Sequence, residues 1–228
     1  MAITLCIETS GPHCSLALAC GERIYTRDEL LERSHNQHLL NLLDELFVTA
    51  RCKPADVELV GFGCGPGSFT GVRIAAAATQ AIAFGAAARI VPVPSLHALA
   101  MTAAVNYPAK SRFICAVKSR GEAYYLASYL RADLDAEKKA EQTEELTDQP
   151  SAWMQDLHVG EDTLVVGGRP GWLPETLQRV HVEGVHPQAG DIVEWVRRQH
   201  AQGLSQSPEA ALPRYISGDS PWKKSAQR

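Results

Sequence analysis

Glu8 stands at the end of an alternating stretch, Ile3, Leu5 and Ile7 against Thr4 and Cys6, and is followed by Thr9-Ser10-Gly11. A carboxylate where a strand stops is placed for acid or base chemistry in an α/β protein. The hydroxyls and N–H groups of the turn after it can face a phosphate. A surface carboxylate without chemical duty is the plainer alternative. The second stretch with chemical content is Gly65-Pro66-Gly67-Ser68-Phe69-Thr70-Gly71-Val72-Arg73. It reads as a strand passing through a type II turn into a helix capped by Ser68 or Thr70. Free N–H groups and the positive end of the dipole let such a helix start hold an anion, or it can serve in packing. Arg73 in the first turn opposes that dipole, which suggests an acidic partner; a solvated guanidinium is the alternative.

Named nucleotide motifs fail here. Gly71 is followed by Val72-Arg73, where a P-loop requires Lys and then Ser or Thr, and the third glycine of a dinucleotide fingerprint falls on Ser68 or Thr70. No Gly-x-Ser-x-Gly elbow surrounds Ser68. His35 and His38 are spaced to share one side of a helix, but no Glu-x-x-His set accompanies them, so polar residues at a helix start are the favoured reading. Gly167-Gly168 can admit a nucleotide base closely or form a simple turn. Cys6, Cys14, Cys20, Cys52, Cys64 and Cys115 lack Cys-x-x-Cys spacing and read as reduced, buried thiols.

These residues need elements to position them. The pattern predicts a strand over 3–8, a hairpin of strands at 15–19 and 23–26, and a helix over 34–51. The apolar stripe of that helix is Leu39, Leu42, Leu43, Leu46 and Phe47, widened by Leu40 and Val48. A strand at 57–60, an alanine-rich helix from Thr70 to Ala88, a strand at 89–93 and a helix over 94–105 follow. From residue 111 a second strand–turn–strand opening begins, with strands at 113–117 and 122–130. A charged stretch, 133–148, reads as a solvated connection. A short helix at 153–157, strands at 163–166 and 179–182, a helix at 192–200 and a loop-like 202–213 complete the chain. Two related α/β lobes with mixed sheets are the expected architecture.

Length and composition allow this. The chain has 228 residues, is 45% hydrophobic and 21% charged, and carries a net charge of −4. That is ordinary globular composition, with no electrostatic footprint for direct nucleic-acid binding. No signal peptide is read at Met1-Ala2-Ile3-Thr4-Leu5, and no apolar run is long enough to span a membrane.

Four blocks resemble the TsaB (YeaZ) family of tRNA threonylcarbamoyladenosine biosynthesis proteins: Ile7-Glu8-Thr9-Ser10; Arg33-Ser34-His35 through Leu39-Leu40; Gly65 through Arg73; and Tyr215-Ile216 with Trp222-Lys223-Lys224. The resemblance implies an α/β fold of the actin-like ATPase (ASKHA) class with two ribonuclease-H-like lobes, 1–105 and 106–228. A helix at 191–201 is expected to pack back on the first lobe. In that class two acidic residues serve a Mg–nucleotide site. The first position is Glu8 and the second falls on Lys118. A catalytic relative, TsaD, binds metal through a His-x-x-x-His pair, which by register falls on Ser95 and Leu99, with His97 between them. The resemblance therefore implies no catalytic residue, no metal and no cofactor, with weak residual nucleotide binding at Glu8, Thr9, Ser10 and Gly168.

What the family implies instead is a cytoplasmic scaffold. It would meet TsaD through the 34–51 and 70–88 helices, with His35, Leu39, Leu43, Leu46, Arg73, Ala77 and Gln80 as interface residues. TsaE joins, tRNA is met only indirectly, and the same face pairs two copies when TsaD is absent. The rival reading is a metal- or ATP-dependent enzyme of the same fold, a peptidase or a small-molecule kinase.

Overall fold

The computed structural model describes residues 2–31, 34–119, 121–135, 142–146, 149–157 and 159–214. Arg33 and Arg120, and the Tyr215-Ile216 and Trp222-Lys223-Lys224 segments, lie outside the described residues.

The first sheet is built from β1 (Thr4–Glu8), β2 (His13–Cys20), β3 (Arg23–Leu30), β4 (Leu59–Gly65) and β5 (Arg89–Pro94) in the order β3-β2-β1-β4-β5. β1 runs antiparallel to β2 and parallel to β4, so the hairpin forms one half of the sheet and the helix-linked strands the other. Both faces of the sheet are covered at its centre, so β1 and β4 are buried along their whole length. β3, at the edge, alternates towards solvent and carries charge, which protects an open edge from further pairing.

α1 (His35–Ala50) and α2 (Phe69–Ala86) cover one face of this sheet; their apolar sides share a core with Leu5, Ile7, Leu16, Leu18 and Phe62. Ala87 takes a left-handed conformation and ends α2, earlier than the alanine run alone predicts. α3 (Ser95–Asn106) follows β5 directly.

The second half repeats the plan. β6 (Arg112–Lys118), β7 (Tyr124–Leu130), β8 (Gln142–Leu146), β9 (Thr163–Gly167) and β10 (His181–Val182) give the order β10-β9-β6-β7-β8, which is the first sheet's order read from its other edge. Again the first strand is antiparallel to its hairpin partner and parallel to the later strand. One topology used twice is the actin-like ATPase fold with two ribonuclease-H-like halves. Short helices α4 (Ala152–Gln155) and α5 (Glu175–Gln178) lie in the second half, and α6 (Ala189–Ala201) is the last α-helix among the described residues.

The long helices cross over. Leu96, Leu99, Ala100 and Ala103 of α3 pack with Phe113, Cys115 and Val166 of the second sheet. Ile192, Val193, Trp195 and Val196 of α6 pack with Cys6, Ala17, Ala19 and Leu59 of the first.

Three local expectations need correction. The 133–148 stretch is not only a connection: residues 142–146 pair antiparallel with β7 as an edge strand, where a polar sequence is tolerated because one side is unpaired. The turn before α2 is not type II: the Gly65–Pro66 peptide is cis, and it is Gly65, with φ +99°, that takes the left-handed backbone. Residues 202–213 include a single antiparallel bridge, in which Gln206 exchanges hydrogen bonds of 2.8 and 3.0 Å with Ile90 at the β5 edge.

Candidate functional site

β1 ends on Glu8, and its carboxylate does not open to solvent. It is 2% exposed. One oxygen accepts from the Ser10 N–H at 2.6 Å and the other from the Ser95 hydroxyl at 3.3 Å. Ser95 in turn accepts from the Gly65 N–H at 3.2 Å. Burial pushes the Glu8 carboxyl above its ordinary value, and these bonds offset only part of the shift. Gly63 of β4 makes the arrangement possible: a Cβ there would stand 2.0 Å from the Glu8 carboxylate.

The same close approach explains the glycine-rich stretch after β4. Thr9 donates its hydroxyl to the Gly71 carbonyl at 2.8 Å, and a Cβ on Gly71 would lie 1.9 Å from the Thr9 carbonyl. The Ser68 N–H donates to the Ser10 carbonyl at 2.7 Å, and the Ser68 hydroxyl caps the helix by accepting from the Gly71 N–H at 3.2 Å. The start of α2 thus spends part of its donors on the turn after β1. Arg73 lies with its guanidinium 3.6 Å from the centroid of the Phe69 ring, a cation–π contact.

Between the two sheets lies a cleft of about 700 Å³. Ser10, His35, Leu99, Lys118, Gly168 and His186 are among the residues that line it; Glu8 and Thr9 are not. Of the four nucleotide candidates, the structure therefore brings Ser10 and Gly168 to the cleft and turns Glu8 and Thr9 inward. No carboxylate lines the cleft among the described residues, and an ammonium, Lys118, stands where the second one would be. A Mg-bound triphosphate requires oxygen ligands for its ion, and these residues do not fit it. Ser95 and Leu99, at the register of the TsaD metal pair, are a hydroxyl committed to Glu8 and an alkyl group. His97 is a core residue: its Nε2 bonds the Leu134 carbonyl at 2.9 Å, and burial lowers its pKa.

His35 and His38 part company. His35 is buried against the Gly11 carbonyl, with its Nε2 3.0 Å away, and burial lowers its pKa; His38 is exposed. The buried cysteines are inert: burial pushes the Cys6, Cys14 and Cys64 thiols up to about 12. Sequence reasoning missed a cluster at the cleft rim. His13 and His186 both bond one oxygen of Asp28, and that oxygen's bond and charge raise the His186 pKa. No spacing signal exists for residues so far apart in the chain.

The expected partner face is corrected in part. Leu39, Leu43 and Leu46 are 0–4% exposed and belong to the core under α1, because the regular stripe of an amphipathic helix is the side that meets its sheet. His35 is inside as well. Ala77 is exposed and Arg73 and Gln80 half-exposed along α2. What α1 and α2 turn outward is Leu40 at 71%, Val48 at 70% and Phe84 at 56% exposure. The signal for the first two was in the sequence: they are the residues that widened the stripe.

Residues 21–166 match the family model described as TsaD: tRNA N6-adenosine threonylcarbamoyltransferase. The chain is 30% identical over 226 residues to the tRNA threonylcarbamoyladenosine biosynthesis protein TsaB of Escherichia coli, covering 96% of each. It is 34% identical over 128 residues to the TsaB of Haemophilus influenzae, 56% of this chain and 53% of that protein. A Pseudomonas aeruginosa structure described as similar to peptidase YEAZ superposes with a TM-score of 0.80 at 27% identity, over 95% of this chain and 100% of that one. A second, of YeaZ from the same organism, gives 0.76 at 26%, with the same coverage. With nearly its whole length aligned to a TsaB protein and its whole fold to YeaZ, the chain belongs to the TsaB family.

Proposed function

We propose that this chain is a non-catalytic scaffold subunit for threonylcarbamoyl transfer to adenosine in tRNA, working with TsaD and TsaE in the cytoplasm. The observation that carries the reading is the state of the cleft. Its fold-level acidic residue, Glu8, is sealed behind Ser10 and Ser95, and among the described residues no carboxylate lines the cleft. The names of the relatives, tRNA threonylcarbamoyladenosine biosynthesis proteins, supply the pathway.

The docking surface in this reading is the outward side of α1 and α2, with Leu40, Val48, Ala77 and Phe84 as its apolar centre and Arg73 and Gln80 beside them. Single apolar residues on a surface are common, but large ones exposed on two neighbouring helices support this reading. TsaD takes this face in the complex, and a second copy of the chain takes it otherwise. tRNA is met through the assembly, as the net charge of −4 suggests. No described helix is long and apolar enough to cross a membrane.

The test is reconstitution. Purified chain mixed with TsaD should co-elute, and threonylcarbamoyl-adenosine formation by TsaD and TsaE should depend on it. Calorimetry of the chain alone with Mg–ATP should show no tight binding. Turnover of ATP or peptide by the isolated chain, abolished in Glu8→Gln, would establish the enzymatic reading instead.

A further inference from the structure

His13 opens β2, Asp28 lies in β3, and His186 sits on the connection between β10 and α6, far away in the chain. Their donor atoms nevertheless converge. His13 Nδ1 is 3.2 Å and His186 Nε2 2.9 Å from the same Asp28 Oδ2, and all three ligand atoms lie within 4.8 Å of one another. Two imidazoles and a carboxylate are a donor set suited to a borderline-soft divalent ion. Bonds of about 2.0–2.2 Å in tetrahedral geometry set neighbouring ligand atoms roughly 3.3 Å apart. The two nitrogen–oxygen separations here are close to that spacing without any ion present.

We propose that His13 Nδ1, Asp28 Oδ2 and His186 Nε2 form a transition-metal site, Zn²⁺ the first choice, with its fourth position open to the cleft. Both histidines line that cleft, so water or a cleft-bound ligand completes the coordination. Without the ion, hydrogen bonds and stacking hold the group together: the two rings lie face to face, 3.5 Å between centroids and 13° between planes. Rings so close cannot both aim a lone pair at one ion, so uptake turns them apart. Gly184, with φ +80°, precedes His186 by two residues and gives that connection its bend. The side chains are partly open, at 19–33% exposure, so an ion can enter from solvent. Once bound, it ties the β2–β3 hairpin of the first half to the segment that leaves the second.

The site is absent from the active-site logic of the fold: neither Glu8 nor Lys118 contributes. It is also independent of the scaffold reading, and its test does not use the tRNA reaction. Full-length chain stripped with EDTA is titrated with zinc chloride by calorimetry, and with cobalt chloride by visible absorption. One ion per chain is expected, with a dissociation constant in the micromolar range or below, a tetrahedral cobalt spectrum and a raised melting temperature. His186→Gln and His13→Gln should each weaken binding by about tenfold or more; even loss of a supporting partner around a ligand costs 10–100-fold. Thermal melts in EDTA show whether the variants are folded, and Cys52→Ser reports on competition by a half-exposed thiol. Zinc binding unchanged in both histidine variants, or lost in Cys52→Ser alone, overturns the proposal. So does the absence of saturable binding by the folded wild-type chain.

Discussion

The hydroxyl of Ser95 donates to the carboxylate of Glu8 at 3.3 Å, joining the first strand of the chain to the first turn of α3 across 87 residues. The pair turns what is an acidic site in the wider fold into an internal strut. A carboxylate that would otherwise face ligand instead spends both oxygens on protein donors.

The pH dependence follows from the sign of the Glu8 shift. Burial raises its folded pKa above the unfolded value, so its contribution to stability is full at acid pH and is lost as pH rises through the folded value. Glu8→Gln keeps the shape and removes the charge. Thermal melts from pH 4 to 8 should show the variant and wild type closest at the acid end and the variant drawing ahead as pH rises. A gap that widens towards acid pH would contradict the burial argument.

Gly63→Ala should destabilise the fold by about 1–3 kcal/mol, as overpacking does, because the new methyl group meets the Glu8 carboxylate. Shortening the acid should relieve it. The cost of Gly63→Ala measured in a Glu8→Ala background should be smaller than in wild type, by urea titration in a double-mutant cycle.

Arg131 closes the end of α3. Its guanidinium donates to the carbonyls of Lys110 at 2.6 Å, Ala104 at 3.0 Å and Tyr107 at 2.6 Å, and lies over Phe113. A cation among the last carbonyls of a helix is favoured by the dipole, and its planar fork reaches three acceptors that an ammonium cannot. Arg131→Lys should cost about 1.5–3 kcal/mol in urea melts, the scale of charged hydrogen bonds.

The inner and outer sides of α1 should separate cleanly. Leu43→Ala removes a side chain 4% exposed and should cost about 2–5 kcal/mol in stability. Leu40→Glu and Val48→Glu, on the outside, should change stability by no more than about 0.5 kcal/mol. They should weaken co-elution with TsaD and self-association in sedimentation. Intact association in both would move the docking face elsewhere.

Much of this architecture is legible in the sequence. The alternating 3–8 segment, the Gly65–Arg73 block and the second strand–turn–strand opening near residue 113 define the doubled sheet. What failed did so for physical reasons. Leu39, Leu43 and Leu46 look partner-facing in the sequence because a helical stripe does not say which of two neighbours it meets. Residues 142–146 look like solvated chain because an edge strand needs little apolar surface. The inward turn of Glu8 depends on a serine 87 positions away, and the meeting of His13, Asp28 and His186 depends on tertiary folding alone.

The packing of α6 on the first sheet, beside α3, has a consequence for synthesis. As the ribosome releases the chain, the first five strands emerge with α1 and α2, but on the other side of their sheet Ala98 and Met101 of α3 cover only part, and the cluster is completed when residues 189–201 arrive. The early half must therefore wait, half-dressed, for α6, and severing the polypeptide between residues 106 and 112 should leave two fragments that mature only when mixed.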